Sequence, residues 1–582
     1  METWFSLYRS QDKLPSIDAN EEFDLIVVGS GNGACGFLSE CLRHATEDFS
    51  VLVLEEGDNL FFSSNITHQN EWGKHYYKRS LFKLHNCVTQ SGKAVLVGRA
   101  KTFGGGGSFN YTMIHESSEW LSKQAGHDEA YWDLCKKELN ESFKRPDPLK
   151  EGYQTPFANY IADNAQKAGY APPSQHDMIA NIPSVRDSES KKLYFVPSPF
   201  DRFGSRTGSG VSLVNWDRVK YRCNTCVLGL IMGSSQTEGN DIACTGVKAR
   251  NKQGNEVIYK VKATGRVILC SGSQSPRLLL QTKELADSNE KIGQRVNDHV
   301  CMLLGMYLVQ KEKAPPVGET DLYESMFAKE VIEIDSEDPN DEKTQAEQSI
   351  VGIDFFSGEL TRLLFMSNFY LAFLPFNFIK RLMAQYPIIY EVLSKTLRII
   401  VTFFVILIQA LGRQKIFVTT SLVKFNASKE GYYERDCDKI ILRFFEDERD
   451  YDIAEEFINN NLDFLESNGT RKLPLPVRFL LQIVTKMPYQ KGRQVKRFVR
   501  HVARNALVSQ QHLAGGCILG DVVDMGLEDN SKTGLVFGST NLHVADLSIV
   551  PLPRVSTQMT AYLMGHHVAK QLFSVQEKKL VV

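Results

Sequence analysis

The stretch Phe23-Asp-Leu-Ile-Val-Val28-Gly29-Ser-Gly31-Asn-Gly33-Ala34 decides how this chain folds. The apolar run from Phe23 to Val28 ends in glycine, as a buried parallel strand does. Residues 33–44 read as a helix and Val51–Leu54 as the next strand, so the segment is β–α–β with a glycine turn between its first two elements. The small residues have separate reasons. Gly29 makes a turn that a Cβ would obstruct, Gly31 lets the backbone approach a pyrophosphate, and Ala34, after Gly33, lets the helix pack on the sheet. The start of that helix offers unpaired N–H groups to the phosphates. Glu55 closes the second strand, where an acid can accept hydrogen bonds from a ribose. A plain glycine turn and an exposed strand-end acid would explain these features singly, but not their coincidence. The expected ligand is a dinucleotide.

The text outside this segment alternates between similar nucleotide-domain patterns and other patterns. Strand-like runs return at 219–246 and 257–270, again at 417–445, and an amphipathic helix is expected over 451–468. Two discontinuous domains are therefore expected in 582 residues. Residues 21–135, 205–310 and 506–578 make the nucleotide domain; residues 136–204 and 311–505 make the second. The acidic run Glu330–Asp338 reads as a solvated loop. A formal net charge of −2 gives no basic excess for a nucleic-acid partner. The eleven scattered cysteines form no disulfide framework and suggest free thiols in a reducing compartment. Cys223 and Cys226 have CxxC spacing without a second pair, so they read as core residues and no metal site is expected. Met1–Arg9 lacks the pattern of a secretory signal, so an intracellular location is expected, cytoplasmic or peripheral on a membrane.

Five stretches in order carry a wider resemblance: Val27–Gly57, Phe103-Gly-Gly-Gly-Gly-Ser-Phe-Asn110, Val267–Leu280 followed by Asn297-Asp-His299, His512-Leu-Ala-Gly-Gly-Cys517, and Asn541–Pro551. Together they resemble the glucose–methanol–choline (GMC) family of FAD oxidoreductases over nearly the whole chain, and within it the branch of cholesterol oxidases and long-chain alcohol oxidases. The resemblance implies an α/β fold: a Rossmann-type FAD-binding domain with a discontinuous α+β substrate domain, an antiparallel sheet plus helices. It implies that Gly105, Gly106 and Asn110 lie against the flavin ring or pyrophosphate. Asn110 stands where some relatives carry a histidine covalently joined to FAD, so the FAD is expected to be non-covalent. Val227 would touch the adenine through its backbone, and Asp546 would bond the ribityl chain or phosphate.

A flavin accepts hydride but cannot remove the hydroxyl proton that leaves with it, and a histidine suits that task. His512 opens the segment where the family places its base, and it is the expected catalytic residue. His299, His543, His566 and His567 are read as structural. The family's second histidine or asparagine is absent: Ser556, Thr557 and Gln558 occupy the matching stretch. A helix beginning near Thr557 would turn its positive end toward the flavin. The leading expectation is oxidation of an apolar alcohol, sterol or long-chain. Two alternatives are a flavin lyase or light-driven fatty-acid decarboxylase of the same fold, and a non-catalytic lipid-binding flavoprotein.

Residues 363–412 form the most apolar part of the chain. Leu363–Ile379 is uncharged but broken by Pro375, and Ile399–Gly412 is too short for a bilayer core of ~30 Å. Lys380, Arg381, Lys395, Arg398, Arg413 and Lys415 flank these runs against one acid, Glu391. That pattern fits helices lying on an anionic membrane surface, and equally a pair of buried core helices.

Overall fold

Strands Glu22–Val28 and Val51–Leu54 pair in parallel, with Val27 opposite Val53, and helix α1 (Asn32–His44) crosses between them. The chain is described from a computed structural model that covers residues 21–60, 80–109, 118–142, 163, 165–171, 191–195, 210–233, 241–309, 326–334, 347–359, 377–412, 417–467, 488, 490–554 and 556–579. Expectations that fall elsewhere, including Asn110 and the run Leu363–Phe376, lie outside the described residues.

Three sheets organise the molecule. The first is seven-stranded, in the order 220–222, 51–54, 22–28, 256–269, 244–250, 226–232, with 542–544 also pairing the long strand. Strand Glu256–Leu269 has two jobs. Its second half pairs in parallel with 22–28 and with 542–544; its first half pairs antiparallel with 244–250. The parallel part carries near-continuous apolar residues because both faces are covered, and Ile26, Val27, Leu52, Val53 and Ile268 are fully buried.

The second sheet is antiparallel and six-stranded, in the order 508–509, 299–309, 417–426, 347–359, 326–334, 191–195. It includes His299–Val309 and Val508–Ser509, which sequence reading had placed with the nucleotide domain. The acidic run is also corrected here. Its first half, Glu330–Ile334, is not a loop but part of strand Met326–Ile334, paired on both edges. Val331 and Ile332 among the acids mark β structure, and ladder pairing outweighs the charge count. A third, four-stranded sheet joins 432–433, 440–442, 82–89 and 94–100.

The apolar insert forms helices α2 (Asn377–Gln385) and α3 (Pro387–Gly412). Among the described residues no helix is long and apolar enough to cross a membrane. Two of the expected basic flanks point elsewhere. Lys380 is 1% exposed and donates to the Leu507 carbonyl at 2.8 Å, while Arg381 donates to the Gly92 carbonyl. The last helix, α4 (Gln558–Lys579), packs on α1. The contact is backbone to backbone: a Cβ on Gly36 would lie 2.1 Å from the Tyr562 carbonyl oxygen, and one on Gly565 would lie 1.9 Å from that of Gly33. All eleven cysteines are free thiols.

Candidate active site

A cavity of about 540 Å³ opens where the first glycine turn, the second glycine motif and the loop after strand 508–509 converge. Gly29, Gly31, Gly33, Glu55, Gly105, Gly106, Val227, Asp546 and His512 all line it; Ala34 is buried behind the turn. The glycines answer to the geometry. Gly29 has φ +97°, and a Cβ there would meet the Cys270 carbonyl oxygen at 2.6 Å. A Cβ on Gly33 would meet the Ala545 carbonyl oxygen at 2.4 Å. Gly31 and Gly106 differ. A Cβ on Gly106 would meet no protein atom within 4 Å, and one on Gly31 would meet only the Gly105 Cα at 4.0 Å. Beside this turn, α1 begins with no side-chain cap and no acid in its first turn, which leaves its N–H groups for an anion. A diphosphate fits a place that is open, lined by glycine and faced by a helix start.

Ser30, which sequence reading passed over, binds the parts together. Its hydroxyl donates to Glu55 at 2.6 Å and accepts from the Gly104 N–H at 3.0 Å. The Glu55 carboxylate also accepts from the Ser30 and Gly57 N–H groups, at 3.2 and 2.7 Å. A carboxylate offers about four acceptor positions; three are used, and one is left for a ribose hydroxyl. Burial raises the Glu55 carboxyl above the usual range, against the hydrogen bonds that lower it. Asp546 is more fully engaged than the resemblance implied. It accepts from Gly272 N–H, Ser275 hydroxyl, Ser548 N–H and Ser548 hydroxyl at 2.6–2.8 Å. Its carboxylate thereby fixes the wall of the cavity that it lines.

His512 follows Gln511, whose side chain pins the loop to strand 94–100 through Gly98 and the Leu96 carbonyl. Gly515 and Gly516, both at positive φ, pass so close to Arg295 and Pro276 that a Cβ would clash at 1.9 and 2.6 Å. The Asp298 carboxylate accepts from the His512 backbone N–H at 3.1 Å and from the Ser509 hydroxyl. Burial, then His299 and the Lys424 charge, hold the His512 imidazole well below the usual histidine range.

His299, read from sequence as structural, is placed against this group, its Nδ1 2.8 Å from the His512 Nδ1. The signal for it was the Asn297-Asp-His299 stretch, but nothing in the text pairs residues 213 positions apart. His543, His566 and His567 bond the Thr533 carbonyl, Glu138 and the Tyr131 hydroxyl, away from the cavity. Ser556, Thr557 and Gln558 all line the cavity, at the start of α4. Sequence reading also missed His85, which lines the cavity with Nε2 2.9 Å from the Ser273 hydroxyl. Among the described residues one cluster, Cys135, Glu138 and His566, brings three metal-ligand atoms within 4.8 Å. Lys570 already pairs with both oxygens of Glu138 there.

This fold is that of the FAD-dependent oxidoreductases. Residues 432–565 match the GMC oxidoreductase family, and the chain belongs to that family. It is 23% identical over 338 residues to an alcohol oxidase of Candida boidinii, covering 50% of this chain and 48% of that one. It is 24% identical over 272 residues to a sinalpyl alcohol oxidase of Nesocodon mauritianus, covering 45% and 44%. The chain thus spans about half the length of the curated relatives it matches. A formate oxidase variant of Aspergillus oryzae shares the fold with a TM-score of 0.62 at 16% identity, covering 97% of this chain and 100% of the other.

Proposed function

We propose that the protein oxidises the CH–OH group of an apolar alcohol, with His512 as the base and a non-covalently held FAD. FAD, when bound, supplies the acceptor for the hydride. The observation that carries the reading is a neutral histidine in the same cavity as the two glycine motifs. The ring takes the hydroxyl proton as the carbonyl forms, and its depressed pKa keeps it free to do so at neutral pH. Such a base contributes about 10²–10⁴-fold. Ser556, Thr557 or Gln558 supplies a hydroxyl or amide to hold the substrate oxygen, and the start of α4 adds a positive field on that side. An asparagine at position 110, where some relatives carry a flavin-bonding histidine, supports non-covalent binding. The exposed apolar faces of α2 and α3 support a sterol or long-chain substrate.

The test is anaerobic addition of benzyl alcohol, 1-dodecanol and cholesterol to the purified yellow protein. Bleaching of the flavin band is expected with at least one. No bleaching, with alkane released from palmitate under blue light, overturns the reading in favour of the decarboxylase. A colourless protein that cannot be reconstituted with FAD overturns it in favour of a binding module.

A further inference from the structure

The hydrogen bond between His299 and His512 joins two nitrogens of the same kind, Nδ1 to Nδ1, at 2.8 Å. The rings stand at 79°, with centroids 5.0 Å apart. One proton must lie between them, so one ring donates and the other accepts. Both rings are neutral in their surroundings: burial holds His299 down to about 3 and His512 well below its usual range. The unsettled matter is which ring donates.

The place of each ring decides it. With its Nδ1 turned to His299, His512 has only Nε2 to offer the cavity, and a base must hold that nitrogen bare. The single proton of the neutral His512 ring then lies on Nδ1, shared with the bare Nδ1 of His299. The His299 proton lies on Nε2, and the nearby Pro553 and Arg554 backbone favours a proton on that ring. Asp298 fixes the same residue by another route, accepting its backbone N–H at 3.1 Å. His512 lines the cavity and His299 does not. The buried Lys424, on strand 417–426, adds a positive charge near both rings.

We propose that His299 is the positioning residue for the base: it accepts the Nδ1 proton of His512 and thereby presents a bare Nε2 to the substrate hydroxyl. This rests on the alcohol-oxidation reading above. In the step it serves, the substrate O–H bond breaks and its proton joins His512 Nε2. FAD, when bound, would take the C–H electron pair as hydride, and C=O forms. His299 keeps its own Nε2 proton throughout and touches no substrate.

The experiment reads the tautomer directly, apart from turnover. FAD-loaded protein labelled with ¹⁵N-histidine is examined by long-range ¹H–¹⁵N correlation, and the signal lost in His512→Ala identifies the ring. A neutral His512 protonated on Nδ1 is expected. His299→Asn, whose amide oxygen can take the place of Nδ1, should keep that tautomer. His299→Leu should lose it and slow flavin reduction by benzyl alcohol about 10²-fold, the usual cost of a misplaced reacting group, with little change in the KM. A His512 protonated on Nε2 in the wild type overturns the proposal, as does an unchanged tautomer in His299→Leu. If that variant cannot hold FAD, the wild-type tautomer and His299→Asn still decide. The expected tautomer without reduction by any alcohol would sink the alcohol reading and leave His299 only as the residue that sets the His512 tautomer.

Discussion

Two glycines two positions apart respond to different neighbours. A side chain on Gly31 points into open space, and its backbone has φ −72°, which any residue adopts. A side chain on Gly33 drives into backbone. Gly31→Val should therefore give a folded, colourless protein, whereas Gly33→Val should lower thermal stability by several degrees even without cofactor. Flavin absorbance and a melting curve on each variant separate the two; a yellow Gly31→Val would remove the diphosphate from this turn. For the base, His512→Ala should keep FAD and slow substrate-driven flavin reduction about 10²–10⁴-fold. An unchanged rate in stopped flow would remove His512 from the mechanism. The glycine turns and His512 were legible because each sits in a short, local pattern. Ser30 and His299 were not: their partners, Gly104 and His512, lie 74 and 213 residues away, and only folding brings them together.

Helix α2 buries a lysine on the same face as the fully buried Met383. Lys380 is buried on the side facing the rest of the protein, with the Leu507 carbonyl as its acceptor. Burial alone pulls its amine from 10.5 down to about 7. The unfolded chain keeps that proton up to the higher value, while the folded chain sheds it above the lower one. The cost of burying the charge is thus full below pH 7 and fades as pH rises toward 10.5. Lys380→Met should stabilise the protein by about 2–4 kcal/mol at pH 6, after the lost hydrogen bond is allowed for, and by nothing at pH 10. Urea unfolding at both values checks this; equal gains would refute the pH-linked cost. Sequence reading places Lys380 at the flank of an apolar run, either facing an anionic membrane or solvated at the end of a buried helix. A 3.6-residue period shows which residues share a face, but not which face the protein covers.

At the scale of the molecule, Ile399, Phe403 and Ile406 of α3 are 72, 65 and 60% exposed. Side chains of this size, clustered on one helix, mark a contact surface more often than chance exposure. We expect the protein to float with phosphatidylserine vesicles at low salt, and the combined Ile399→Ser, Phe403→Ser, Ile406→Ser variant to stay below. A wild type that remains in the soluble fraction would end the idea. The cofactor gives a second whole-molecule test: acid precipitation should release all the FAD into the supernatant, and yellow colour left in the pellet would refute non-covalent binding. The Rossmann half of the fold was readable because its signature is continuous. The membership of 299–309 and 508–509 in the second sheet was not, because it is set by pairing with strand 417–426 and its neighbours rather than by local composition.

The backbone contact between Gly36 and Tyr562, and between Gly565 and Gly33, also sets an order in time. About 530 residues separate these two helices, and strand 542–544 must also arrive before the parallel sheet is complete. A ribosome adding roughly 5–20 residues each second would need about half a minute or more to deliver the second helix after the first. Until then the glycine turn has no lid of α4 over it, and the nascent chain should be unable to hold its flavin. Cofactor loading in this protein is therefore expected only after the second helix has emerged, not when the motif that recognises the flavin does.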